Sequence, residues 1–168
     1  KPIRHNLGIL MNILSGASLP DAGKEALRPD MWTTLFLVVP LISTTFASVD
    51  RMLGKLPPES IGWLLVDEAG QAAPQAAVGA IMRARRVIAV GDPVQIEPVV
   101  VLPESLTHAI ARSFGVDPDA YTAPGASVQT LADEATSCMA SFEGHDGSRT
   151  VGVPLLIHRR CEEPMFGI

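Results

Sequence analysis

Asp67 and Glu68 stand side by side at the end of the apolar run Trp63-Leu64-Leu65-Val66, and a second apolar run, Val87-Ile88-Ala89-Val90, leads into Gly91-Asp92-Pro93-Val94-Gln95. An apolar run without alternation suits a parallel strand covered on both faces, and α/β sheets place their ligands at the carboxyl ends of such strands. Two adjacent carboxylates there have a division of labour open to them. One holds Mg²⁺, usually through water, while the other orients or deprotonates a water that attacks a phosphorus atom. Asp67 and Glu68 taken alone fit a polar strand exit into a solvated turn better. The second strand changes that balance. Gly91 permits close backbone approach and Pro93 sets the exit angle, which leaves Gln95 on a short loop at the same sheet edge. A neutral carboxamide there donates to a phosphate oxygen or accepts from a water, and so senses a terminal phosphate without adding charge.

These segments resemble a known family. Asp67-Glu68-Ala69-Gly70-Gln71 is similar to motif II, and Gly91-Asp92-Pro93-Val94-Gln95 to motif III, of superfamily 1 helicases of the nonsense-mediated-decay and replication-helicase branch. Pro40-Leu41-Ile42-Ser43-Thr44-Thr45-Phe46-Ala47-Ser48 resembles the strand and loop that precede motif II there and touch the nucleic-acid backbone. Leu155-Leu156-Ile157-His158-Arg159-Arg160-Cys161 resembles motif IV, with Arg160 in the position of its arginine and Arg159 replacing the usual aromatic residue. The order of the motifs, from about Pro40 onward, makes the resemblance specific.

The resemblance implies an α/β fold, a three-layer RecA-like P-loop NTPase domain with a mainly parallel sheet, together with ATP and Mg²⁺ as cofactors. It implies Asp67 as metal holder, Glu68 as water-orienting base, and Gln71, Gly91 and Asp92 at the nucleotide. Gln95 would be the phosphate sensor. Arg160 would stabilise charge developing in phosphoryl transfer, near a second RecA-like domain. Ser43, Thr44 and Thr45 would contact single-stranded DNA or RNA, although β-branched residues also favour extended structure for their own sake.

One part of such a motor is not in the sequence. The phosphate-cradling loop has the pattern Gly-x-x-x-x-Gly-Lys-Ser/Thr, whereas Gly23-Lys24 is followed by Glu25 and has no glycine at the required upstream position. The chain, starting at Lys1 and stopping shortly after Arg160, therefore reads as a fragment. The expectation is one domain over residues 1–168, the later portion of a first motor domain, mostly helical over 1–39 and α/β over 40–168. Alone it should hydrolyse ATP negligibly. A non-hydrolysing nucleotide- or protein-binding scaffold on the same fold is the alternative.

Composition narrows the classes further. A net charge of −5 argues against bulk electrostatic attraction to nucleic acid, so any strand contact must be local. The apolar stretch from Phe36 to Ile42 is far shorter than the roughly 20 residues that span a bilayer, so neither a membrane segment nor a signal peptide is expected. Cys138 and Cys161 show neither metal nor disulfide-framework spacing, which suits a reducing cytoplasm, and His5, His108, His145 and His158 are scattered.

The elements that must position these residues follow from spacing and punctuation. Helices are expected over His5–Leu14, Asp30–Val39, Ser48–Leu53, Pro74–Met82, Glu104–Phe114 and Val128–Phe142. Strands are expected over Leu41–Thr45, up to Val66, up to Val90 and near Val153–Ile157. Asp117–Ala126 and Glu143–Ser148 read as loops. Arg83, Arg85 and Arg86 read as a solvated cap at a helix carboxyl end.

Overall fold

The computed structural model describes residues 2–18, 21–92, 96–144 and 147–154. They form two compact units, Lys1–Val66 with Gln75–Ile88, and Asp67–Pro74 with Ala89–Ile168.

The first unit begins with α1 (Pro2–Leu14) packed on α2 (Asp21–Val38). Leu10 is the residue of α1 that is buried, and Met31 and Thr34 are buried on α2. Gly16, at a φ of 93°, turns the chain out of α1, a conformation that costs glycine nothing. α2 starts nine residues before the expected Asp30 and runs through Pro29. Gly23-Lys24 thus lies within a helix.

Leu41–Thr45 was expected to be a strand and is not one; the segment runs without regular structure into α3 (Phe46–Leu53). Pro40 lacks a ladder donor and Leu41 is 77% exposed, so neither pairing nor burial holds the segment in a sheet.

β1 (Leu64–Val66) and β2 (Val87–Ala89) form a two-stranded sheet, linked by α4 (Pro74–Ile81). The pairing is parallel: Ile61 bridges Ala84, and the Leu64 N–H donates to the Arg86 carbonyl at 2.9 Å. Pro74 opens α4, where its missing N–H has no intrahelical partner to lose. The expectation of two-sided burial fails for these strands. Val66 is 4% exposed, but Leu65 is 62% and Ile88 42%. With two strands of three residues among the described elements, the pairing is too small for a layer to close over each face.

In the second unit, Asp67 and Glu68 lead into a single 3-10 turn at Ala69–Gln71. α5 (Glu104–Ser113), α6 (Pro118–Tyr121) and α7 (Val128–Ala135) follow. α6 lies inside the segment expected to be loop; Asp117 caps it by accepting from the Asp119 N–H at 3.1 Å. Ser127 begins α7 with a reciprocal cap, its hydroxyl accepting from the Thr130 N–H while Thr130 Oγ1 accepts from the Ser127 N–H.

The expected helix to Phe142 is overturned. α7 stops at Ala135, Thr136 turns extended, and β3 (Met139–Gly144) pairs antiparallel with β4 (Gly147–Gly152). The segment expected to be a loop, Glu143–Ser148, supplies the end of this hairpin, with Glu143 opposite Ser148 and Gly144 opposite Gly147. A short apolar run fits helix and strand periods alike, and the cross-strand ladder decided for the strand. Val153 and Pro154 lie outside any strand, and the rest of the expected Val153–Ile157 strand lies outside the described residues. Among the described residues no helix is long and apolar enough to cross a membrane.

Candidate functional site

The turn that carries the acidic pair is held by its backbone, and its side chains are left outward. Ala69 is fully buried and donates its N–H to the Val90 carbonyl at 2.9 Å, so the residues following β1 are tied to those following β2. Asp67, Glu68, Gln71, Gly91 and Asp92 are all exposed on these two short loops. A fixed backbone suits an ion or ligand that arrives from solution, since the loops themselves need little ordering on binding.

Local chemistry orders the pair. Asp67 Oδ1 accepts from the Glu68 N–H at 3.1 Å, and Gln71 Nε2 donates to Glu68 Oε2 at 3.3 Å. Gln71, expected at the nucleotide, therefore holds the Glu68 carboxylate. Glu68 itself sits in the left-handed region at φ 52°, ψ 43°. A residue with a Cβ is strained there by roughly 1–2 kcal/mol, and such strain concentrates where a side chain must be aimed.

Gly91 meets the expectation of close approach, but the approach is to protein backbone. A Cβ on Gly91 would lie 2.8 Å from the nitrogens of both Ala69 and Gly70 and 3.3 Å from Gln129 Oε1. Only glycine lets the two loops come this near. Asp92 is exposed on the same loop. Gln95 and Arg160 lie outside the described residues.

The donor set fits the cofactors the sequence implied. Asp67 and Glu68 offer hard carboxylate oxygens facing water, and Mg²⁺ characteristically takes one or two carboxylates, keeping water and phosphate oxygens for its remaining positions. Among the described residues no group of three or more His, Cys, Asp or Glu side chains could enclose a metal ion. A cation here would be held by protein on one side only, as a metal shared with a polyphosphate is.

Ser43, Thr44 and Thr45 belong to the other unit. All three are exposed. Thr44 Oγ1 donates to Met52 Sδ at 3.2 Å, and Thr45, the N-cap residue of α3, has its hydroxyl 3.5 Å from Ser48 Oγ. Nothing in this local geometry singles out a phosphate contact.

Of the arginines expected to form a solvated cap, Arg85 and Arg86 are exposed and Arg83 is not. Arg83 does cap α4, donating to the Gly79 carbonyl at 2.6 Å, but it is half-buried and also donates to the carbonyls of Leu56 at 3.2 Å and Gly54 at 2.7 Å. Arg85 donates to the Glu59 carbonyl at 2.9 Å, and the Arg86 guanidinium lies 5.2 Å from the centre of the Trp63 ring. Arg83 is thus a structural clamp, while Arg85 and Arg86 stay at the surface.

Sequence reasoning passed over Gln129 and Asp133. Gln129 Nε2 donates to Asp133 Oδ1 at 3.0 Å, and the same oxygen accepts from the Gly152 N–H at 3.0 Å. The one signal available was a glutamine within the apolar spacing of a helix, four residues before an aspartate.

Residues 29–102, under half of the chain's 168 residues, match the model of a family described as AAA domain. The match covers both loops of the site as far as Asp92 and supports a helicase-like P-loop ATPase domain family. No curated protein and no solved structure matches the chain.

Proposed function

We propose that this chain is part of an ATP-dependent motor of the superfamily 1 helicase kind, built on a three-layer RecA-like domain, that couples Mg-ATP hydrolysis to movement on single-stranded DNA or RNA in a reducing cytoplasm. The observation that carries the reading is the Ala69–Val90 hydrogen bond, which ties the loop bearing Asp67-Glu68 to the loop bearing Gly91-Asp92.

In this mechanism Asp67 holds the Mg²⁺ that neutralises phosphate charge when ATP is bound. Glu68, oriented by Gln71 and fixed by its left-handed backbone, takes a proton from the attacking water. Gln95 reports the terminal phosphate, and Arg160 stabilises developing charge toward a second RecA-like domain. Ser43, Thr44 and Thr45 take the nucleic-acid backbone through hydroxyls, which matches a net charge of −5 better than a basic groove would. These 168 residues contain no Gly-x-x-x-x-Gly-Lys-Ser/Thr loop, so the mechanism assigns the phosphate cradle to polypeptide beyond them.

The test is Glu68→Gln in the polypeptide that includes such a loop. Removing the base and keeping its shape should leave nucleotide affinity within about threefold and lower turnover by at least roughly 10²-fold, the scale of a lost general base. Turnover equal to wild type would remove Glu68 from its role. A polypeptide with no phosphate loop, binding nucleotide without hydrolysis, would point to the scaffold alternative.

A further inference from the structure

Gln129 is 8% exposed, and its carboxamide does two different things at its two ends. The nitrogen donates to Asp133. The oxygen is buried without a hydrogen-bond partner among the described residues and lies 3.3 Å from where a Cβ on Gly91 would stand. A buried carboxamide oxygen left unpaired opposes folding, so a leucine of similar volume would be the better filler if filling space were all the position required.

The surroundings show what else it does. The N–H of Val128, the residue before Gln129, donates to the Ala72 carbonyl at 2.9 Å, which fixes the start of α7 against the turn that carries Glu68. At the other end of α7, Asp133 Oδ1 accepts from both Gln129 and the Gly152 N–H. Gly152 has no room for a side chain there, since a Cβ would fall 2.5 Å from Thr136 Cγ2 and 3.1 Å from Asp133 Oδ1. Gln129 thus lies beside the Gly91 loop at one end and, through hydrogen bonds to Asp133, reaches the last residue of β4 at the other, all within one unit.

We infer that Gln129 is a positioning residue: with Asp133 it forms a bracket that sets the seating of the Gly91-Asp92 loop and the anchoring of the β3–β4 hairpin together. A shift of the loop displaces the carboxamide oxygen, and the carboxamide carries the displacement to Asp133 and the Gly152 N–H. The consequence for turnover rests on the proposed role of Asp67 and Glu68. The bracket itself exists without nucleotide, so the two ideas fail separately.

Amide hydrogen exchange on the 168-residue chain, without nucleotide, tests it. Gln129→Leu should speed exchange in two separated places, residues 67–72 with 90–92 and the β4 amides 148–152, by about fivefold, the population change expected when one hydrogen bond is lost. Amides of α3 and α4 should stay as in wild type. Gln129→Glu sets two carboxylates against each other and should do the same. The double variant Gln129→Glu/Asp133→Asn restores a donor and an acceptor with their direction reversed, and should bring both places back toward wild type. A Gln129→Leu chain that exchanges more slowly or unchanged would show that the position only fills space and would overturn the bracket. So would changes confined to α7, a uniform rise over the whole chain, or a double variant no better than Gln129→Glu.

Discussion

Replacing Glu68 by glycine and, separately, by alanine isolates the backbone strain at the centre of the site. Both variants lose the bond from Gln71 Nε2 to Glu68 Oε2, so that loss cancels in the comparison. What remains is the Cβ at φ 52°. Alanine keeps a left-handed penalty of about 1–2 kcal/mol, from which glycine is exempt. Glycine in turn loses about 0.5–1 kcal/mol more conformational entropy on folding. The difference leaves Glu68→Gly more stable than Glu68→Ala by roughly 0–1.5 kcal/mol, and for a chain of this size that raises the melting temperature by up to about 6 °C. The sign is the informative part, because at a loop position with negative φ alanine would be the more stable by about 0.5–1 kcal/mol. Chemical denaturation of the two variants, with equal slopes against denaturant, measures it directly. An alanine variant more stable than the glycine one would refute the left-handed seating of Glu68, and with it the argument that strain aims the carboxylate.

Gly91→Ala should cost about 2–3 kcal/mol by thermal melting, because the new methyl meets the backbone nitrogens of Ala69 and Gly70 at 2.8 Å and neither has room to move. Gly152→Ala should cost a comparable amount, and Thr136→Ser, by removing the methyl that lies 2.5 Å away, should recover part of it in the double variant. Arg83→Ala should destabilise by about 2–4 kcal/mol, since three backbone carbonyls lose a charged donor at a half-buried place. Arg86→Ala, which gives up one ring contact with an exposed Trp63, should cost under about 1 kcal/mol, and parallel denaturation curves separate the two.

Several features of this chain were legible before any coordinates. Pro74 marked the start of α4, and the apolar runs ending at Val66 and Val90 marked two strands that do pair, in parallel, with the carboxylates beyond their carboxyl ends. Those signals are local, carried by proline's missing donor and by runs of β-branched and aliphatic residues, and a single sequence contains all of their information. Leu41–Thr45 shows the limit. Its composition suits a strand, but a strand exists only with a partner, and none pairs with it among the described residues.

Tertiary structure decided the rest. The stretch after Ala135 has apolar spacing compatible with a helix, and the ladder between Met139–Gly144 and Gly147–Gly152 made it a hairpin. Gly91 was readable as a place of close approach, whereas that the approaching atoms are the backbone nitrogens of Ala69 and Gly70 depends on which loops are tied together. Arg83 looked like surface charge until the carbonyls of Gly54 and Leu56, more than 20 residues away, turned out to surround it. Residue types and short-range spacing settled which chemistry is on offer: paired acids, a glycine loop and a carboxamide. Which atoms meet across long separations, Gln129 with the Gly91 loop and Asp133 with Gly152, was settled only by folding, because hydrogen bonds and packing act through space and leave no periodic mark on the chain.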